Sequence, residues 1–190
     1  MKVLLVNNRT QHLDYLLESL AGHDIEIIEY EPGVKLDDEG KDLILLSGGG
    51  GEGLEIDDKY RRGKLWYDDQ MEFIRNADKP IVGICMGFEV IARAFGAPVK
   101  EMKKGLVHGY FRLVTTPAGH KALGKDRLLQ FKAHSWHVPS APDGFEILAD
   151  SPDGIEIIRH KTRPIIATQF HPEKGGTFDL DQIIKRGLAT

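Results

Sequence analysis

Short apolar runs alternate with amphipathic stretches along the first half of the chain. Val3-Leu4-Leu5-Val6 is uninterrupted and apolar, and it stops at the polar Asn7-Asn8-Arg9-Thr10. Leu13, Leu16, Leu17 and Leu20 then recur at three- and four-residue spacing, the period of a helix, and Gly22 supplies a stop. Residues 25–30 predict a strand closed by Glu31-Pro32-Gly33. Residues 43–46 and 81–84 are apolar without alternation, the pattern of strands covered on both faces. A further helix is predicted over 68–77, with Met71 and Ile74 one turn apart on its apolar side. This rhythm predicts an α/β fold, with a mostly parallel central sheet flanked by helices in a flavodoxin-like, three-layer arrangement.

After Gly96 the character changes. Segments 106–115, 145–149, 155–159 and 165–170 are short, β-rich and separated by Pro-Asp-Gly or Pro-Ala-Gly turns, so antiparallel hairpins are expected to extend the sheet in the C-terminal half. A last helix is expected over about 179–186. Two stretches read as loops: 48–53, with five glycines and one Glu, and the strongly polar 55–64. No internal repeat or linker composition interrupts the chain, which predicts one domain over 1–190.

Composition narrows the function classes. The 190 residues are 41% hydrophobic and 28% charged, as in an ordinary globular protein, and 25 basic against 29 acidic residues leave a formal charge of −4. That balance gives no electrostatic footprint for nucleic acid or an anionic membrane. The single cysteine, Cys85, excludes an internal disulfide and fits a reducing compartment. The N-terminus turns polar too quickly for a signal peptide and no run spans a membrane, so a cytoplasmic location is expected.

The sharpest local feature is Gly83-Ile84-Cys85-Met86-Gly87, a buried strand ending at a Gly-x-Cys-x-Gly turn that leads at once into a helix with Phe88, Ile91 and Phe95. This is the nucleophile-elbow arrangement with Cys in place of Ser. The turn is so tight that side chains two positions either side of the nucleophile would collide. The helix N-terminus is expected to favour a thiolate. Alone, the pattern also fits a buried cysteine at a strand end. The second feature is Gln169-Phe170-His171-Pro172-Glu173. On an extended segment His171 and Glu173 share a face, so His171 is placed to take the Cys85 proton while Glu173 orients the ring. A structural His–Glu pair fits the same residues.

These two motifs, with Leu46-Ser47-Gly48-Gly49-Gly50, resemble the class I glutamine amidotransferases over nearly the whole chain. The segment from His160 to Thr168 looks like that of GMP synthase glutaminase subunits within the family. The resemblance implies a Cys85-His171-Glu173 triad that hydrolyses the side-chain amide of glutamine through a thioester. It also implies an oxyanion hole from the Gly49 and Met86 backbone N–H groups, and a substrate pocket at Gly48, Glu89, Ser135 and Trp136. No nucleotide-binding motif is present. No cofactor is therefore expected in this chain, ATP and magnesium belonging to a partner synthetase that receives the ammonia. No metal site is expected either, since His134 and His137 lack a third ligand.

The chain departs from the family pattern at two places. Gly50 replaces the loop proline, and Glu89 stands where the family has Gln. A carboxylate one turn beyond Cys85 would repel both a thiolate and the α-carboxylate of glutamine. Glu89 is therefore protonated or paired with a cation, or the chain is a cysteine hydrolase of another γ-glutamyl or amide compound, or it is a silent regulatory subunit. His12, His23, His108 and His120 are read as surface or structural.

Overall fold

The computed structural model describes residues 1–49, 56 and 65–188. In chain order the elements are β1 (Lys2–Asn8), α1 (Leu13–Ser19), β2 (Asp24–Glu29), β3 (Leu43–Gly49), α2 (Asp68–Asn76), β4 (Ile81–Ile84) and α3 (Met86–Ala94). They continue with β5 (Lys100–Glu101), β6 (Val107–Thr115), α4 (Pro117–Leu123), β7 (Arg127–His134), β8 (Trp136–His137), β9 (Phe145–Ser151), β10 (Gly154–His160), β11 (Ile165–Thr168) and α5 (Leu180–Gly187). A 3₁₀ turn, Pro172–Lys174, lies between the last two.

The apolar runs of the first half stand side by side as parallel strands in the order β2-β1-β3-β4-β11, and β10, β9, β6 and β7 continue the sheet antiparallel. Period-two alternation divides each buried strand between two cores. Leu4, Val6, Ile44, Leu46 and Ile81 pack with Ile74 of α2 and Phe88 and Ile91 of α3. Val3, Leu5, Leu43, Leu45 and Val82 pack with Leu16 of α1, Leu123 of α4 and Ile183 of α5. The mostly parallel, three-layer architecture and the added hairpins are as the pattern implies.

Three local expectations differ. Pro117-Ala118-Gly119 does not turn between strands but opens α4. Thr116 accepts the Gly119 N–H at 3.0 Å as N-cap, and Pro117 occupies the first turn, where its missing N–H costs nothing. The strand β7 carries no clean hydrophobic pattern because Gln130 and Lys132 point inward, both fully buried. Gln130 exchanges hydrogen bonds with the Phe178 backbone, and Lys132 Nζ meets Asp153 Oδ2 and Glu156 Oε1, each at 2.5 Å, and Ser151 Oγ at 3.2 Å. Finally, β3 runs on through Gly48 and Gly49. The rest of the loops read at 48–53 and 55–64, Gly50 included, lies outside the described residues apart from Ile56. No helix among the described residues is long and apolar enough to cross a membrane.

Candidate active site

Cys85 joins β4 to α3, and its N–H donates to Thr168 O at 2.8 Å, which ties the turn to the end of β11. Its backbone, at φ 51° and ψ −105°, lies where non-glycine residues rarely go. Such strain persists only when the surroundings impose it. Here α3 lies directly on β3: a Cβ on Gly87 would stand 2.4 Å from Leu46 O, and one on Gly83 would stand 2.5 Å from Ile91 Cδ1 and 2.8 Å from Gly87 C. Both glycines are therefore required, partly across the turn as expected and partly by the approach of helix to sheet.

The thiol is 95% buried and donates weakly to Ala133 O at 3.9 Å. Burial pushes its pKa well above the ordinary value, and the charges of Glu89 and Glu173 add to the rise; the Met86 N–H pulls the other way without prevailing. The resting group is a thiol, against the thiolate expected from the helix N-terminus. The first turn of one short helix does not offset desolvation and nearby carboxylates.

The fold brings His171 to the same place. Its N–H donates to Phe131 O at 2.8 Å, and its Nδ1–H donates to Glu173 Oε1 at 2.7 Å. Strand alternation is not what sets this pair. β11 ends at Thr168, and Glu173 reaches the ring because it sits in the 3₁₀ turn that follows. Gly48 locates the other side of the ring: the point a Cβ would occupy lies 3.0 Å from His171 Cε1 and 3.5 Å from Cys85 Cβ. Nε2 of His171 is buried and unpartnered among the described residues.

A cavity of about 280 Å³ opens over Cys85, and Gly49, Met86, Glu89, Ser135 and Trp136 line it, positions read from the sequence as oxyanion and substrate residues; Gly48, read with them, is not in the lining and faces His171 and Cys85 instead. His134 lines it too. Its Nδ1–H donates to Trp136 O at 2.7 Å, and burial together with the Lys132 charge lowers its pKa to about 4, so it is neutral near pH 7. Glu89 is 97% buried and accepts from Gln169 Nε2 at 2.9 Å. Burial raises its pKa to about 8, only partly offset by that bond. At neutral pH most Glu89 is therefore a carboxylic acid.

Gln169 as the partner of Glu89 was not read from the sequence, although the pairing follows once β11 and α3 are adjacent. His12, read as surface or structural, stands edge-on to His171, with ring centroids 4.8 Å apart. Among the described residues no group of three or more His, Cys, Asp or Glu side chains is arranged to hold a metal.

The family model for glutamine amidotransferase class-I matches residues 4–190. The glutamine-hydrolyzing GMP synthase subunit of Methanosarcina mazei is 32% identical over 93% of this chain and 89% of its own length. The corresponding subunit of Methanospirillum hungatei is 33% identical over 94% and 90%. A Thermoplasma acidophilum protein, solved as a candidate for the same GMP synthase subunit, superposes with a TM-score of 0.77 at 28% identity, covering 99% of this chain and 92% of that one. With the elbow cysteine and His171 meeting at the glycine end of β3, the chain belongs to the class I glutamine amidotransferases.

Proposed function

We propose that this chain is the glutaminase subunit of a GMP synthase-like pair, which hydrolyses glutamine and passes ammonia to a separate synthetase. The observation that carries the reading is the convergence of Cys85 and His171 on Gly48, with Cys85 opening on the cavity and Glu173 bound to the far nitrogen of the imidazole. Whole-length similarity to glutamine-hydrolyzing GMP synthase subunits supports the choice within the family.

In this reading His171 Nε2 takes the Cys85 proton as Sγ attacks the side-chain amide carbon of glutamine. The same proton passes to the leaving amine, which departs as ammonia and leaves a γ-glutamyl thioester. Water, deprotonated by His171, then attacks the thioester carbon; the C–S bond breaks, glutamate leaves, and His171 returns the proton to Sγ. Starting from a thiol rather than a thiolate makes the base indispensable to the first step. Glu173 fixes the tautomer that leaves Nε2 free to accept. The Gly49 and Met86 N–H groups receive the tetrahedral oxyanion.

Glu89 fits this substrate in its neutral form. A carboxylic acid offers one acceptor and one O–H donor, close to the amide it replaces, and brings no charge against the glutamine carboxylate. ATP and magnesium belong to the partner, and the pair works in the cytoplasm. Ammonia release from glutamine by the purified chain, alone and with a GMP synthase synthetase subunit, tests the proposal. Turnover that rises with the synthetase supports it. Hydrolysis only of another γ-glutamyl amide, or none with or without the synthetase, overturns it.

A further inference from the structure

One imidazole outside the triad stands against the base. His12 is the residue at the N-terminus of α1, yet its side chain makes no capping bond; its carbonyl alone serves the helix, accepting the Leu16 N–H at 3.1 Å. The half-buried ring meets His171 edge-on, at 86° between planes and 4.8 Å between centroids. Phe131 stands 6.1 Å from His12 and 6.3 Å from His171, so the base is walled by two rings. Glu173 holds the ring through Nδ1 alone. The contact with His12 covers one flank of the ring.

We propose that His12 is a positioning residue for the base: its ring confines the plane of His171 so that Nε2 stays toward Cys85. The inference rests on the reading of His171 as the base. The ionisable groups facing His12 besides His171 are Glu173 and Lys174 from the 3₁₀ turn, His108 from β6 and Tyr15 of α1. Burial and then the charge on His171 lower the His12 pKa below its ordinary 6.5; Lys174 and His108 act the same way, and Glu173 opposes them. A neutral ring at 4.8 Å tolerates an imidazolium neighbour, whereas a permanent cation there repels it.

Three variants separate wall from charge. On glutamine, His12→Ala is expected to lower kcat about tenfold with KM within about twofold, and His12→Phe, which keeps a neutral ring, to restore most of it. His12→Lys, which puts a permanent cation beside the base, is expected to lower kcat at least as far as His12→Ala and to slow alkylation of Cys85 by iodoacetamide severalfold, read with no substrate present. Wild-type kcat in His12→Ala, or Cys85 alkylation as fast in His12→Lys as in the wild type, overturns the proposal. If the wild-type chain does not turn over glutamine, the glutaminase reading falls and the alkylation rate alone decides the role of His12.

Discussion

Replacing Glu89 by Gln tests how burial, rather than charge pairing, governs the cavity wall. The carboxyl is 97% buried, and its pKa rises from the ordinary 4.5 to about 8 in the fold. Between those values the unfolded chain gives up this proton while the folded chain keeps it, so raising the pH favours unfolding. The penalty is absent below about pH 4.5, grows by ~1.4 kcal/mol per pH unit, and is complete above about pH 8. At pH 7 it is on the order of 3 kcal/mol. Glutamine keeps the shape and an acceptor for Gln169 and has no proton to lose, so Glu89→Gln is expected to raise stability by up to that amount. For a chain of this length that corresponds to roughly 6–12 °C in Tm. Thermal unfolding of both proteins from pH 4 to pH 9 reads the effect. The gap should close toward pH 4.5 and level off above pH 8. In glutamine turnover, KM of the wild type should climb above about pH 8, as Glu89 ionises against the substrate carboxylate, and that of Glu89→Gln should not. A Tm difference that is absent or independent of pH would refute the reasoning.

Further outcomes follow from other parts of the molecule. Lys132→Met should cost about 3–5 kcal/mol in urea unfolding, because Glu156 and Asp153 lose a fully buried partner, and adding Glu156→Gln should recover part of that loss. Gly87→Ala should destabilise by about 3 kcal/mol or more or abolish soluble expression, since its Cβ would stand 2.4 Å from Leu46 O. Cys85→Gly should abolish glutamine turnover yet raise Tm, as glycine adopts φ 51° without the roughly 1–3 kcal/mol of strain a side chain bears there.

What the sequence made legible depended on whether a residue's surroundings were local. The parallel strands were readable because unbroken apolar runs such as 43–46 and 81–84 need cover on both faces, and the sheet supplies it. Cys85, His171 and Glu173 were readable because each sits at an element end marked by Gly or Pro. The thiolate was misjudged because the local helix N-terminus is visible in sequence, whereas burial and the charges of Glu89 and Glu173 are tertiary. Lys132 hid β7 for the same reason: a lysine in a strand reads as solvent-facing until Asp153, Glu156 and Ser151 surround it. His12 lies in the first loop and meets His171 only through the packing of α1 beside the 3₁₀ turn, so no spacing in the chain connects them. Pro117-Ala118-Gly119 misled because Pro and Gly punctuate turns and helix starts alike, and Thr116 as N-cap decides between them.

The central claim is that Cys85 is the nucleophile and His171 its base. Its most direct test is the intact mass and peptide map of the protein after exposure to a diazo-ketone analogue of glutamine. The account predicts one adduct per chain, located on Cys85, absent in Cys85→Ser and formed far more slowly in His171→Ala, where the base that takes the thiol proton is missing. An adduct that persists in Cys85→Ser, or one that forms as fast in His171→Ala as in the wild type, would contradict it.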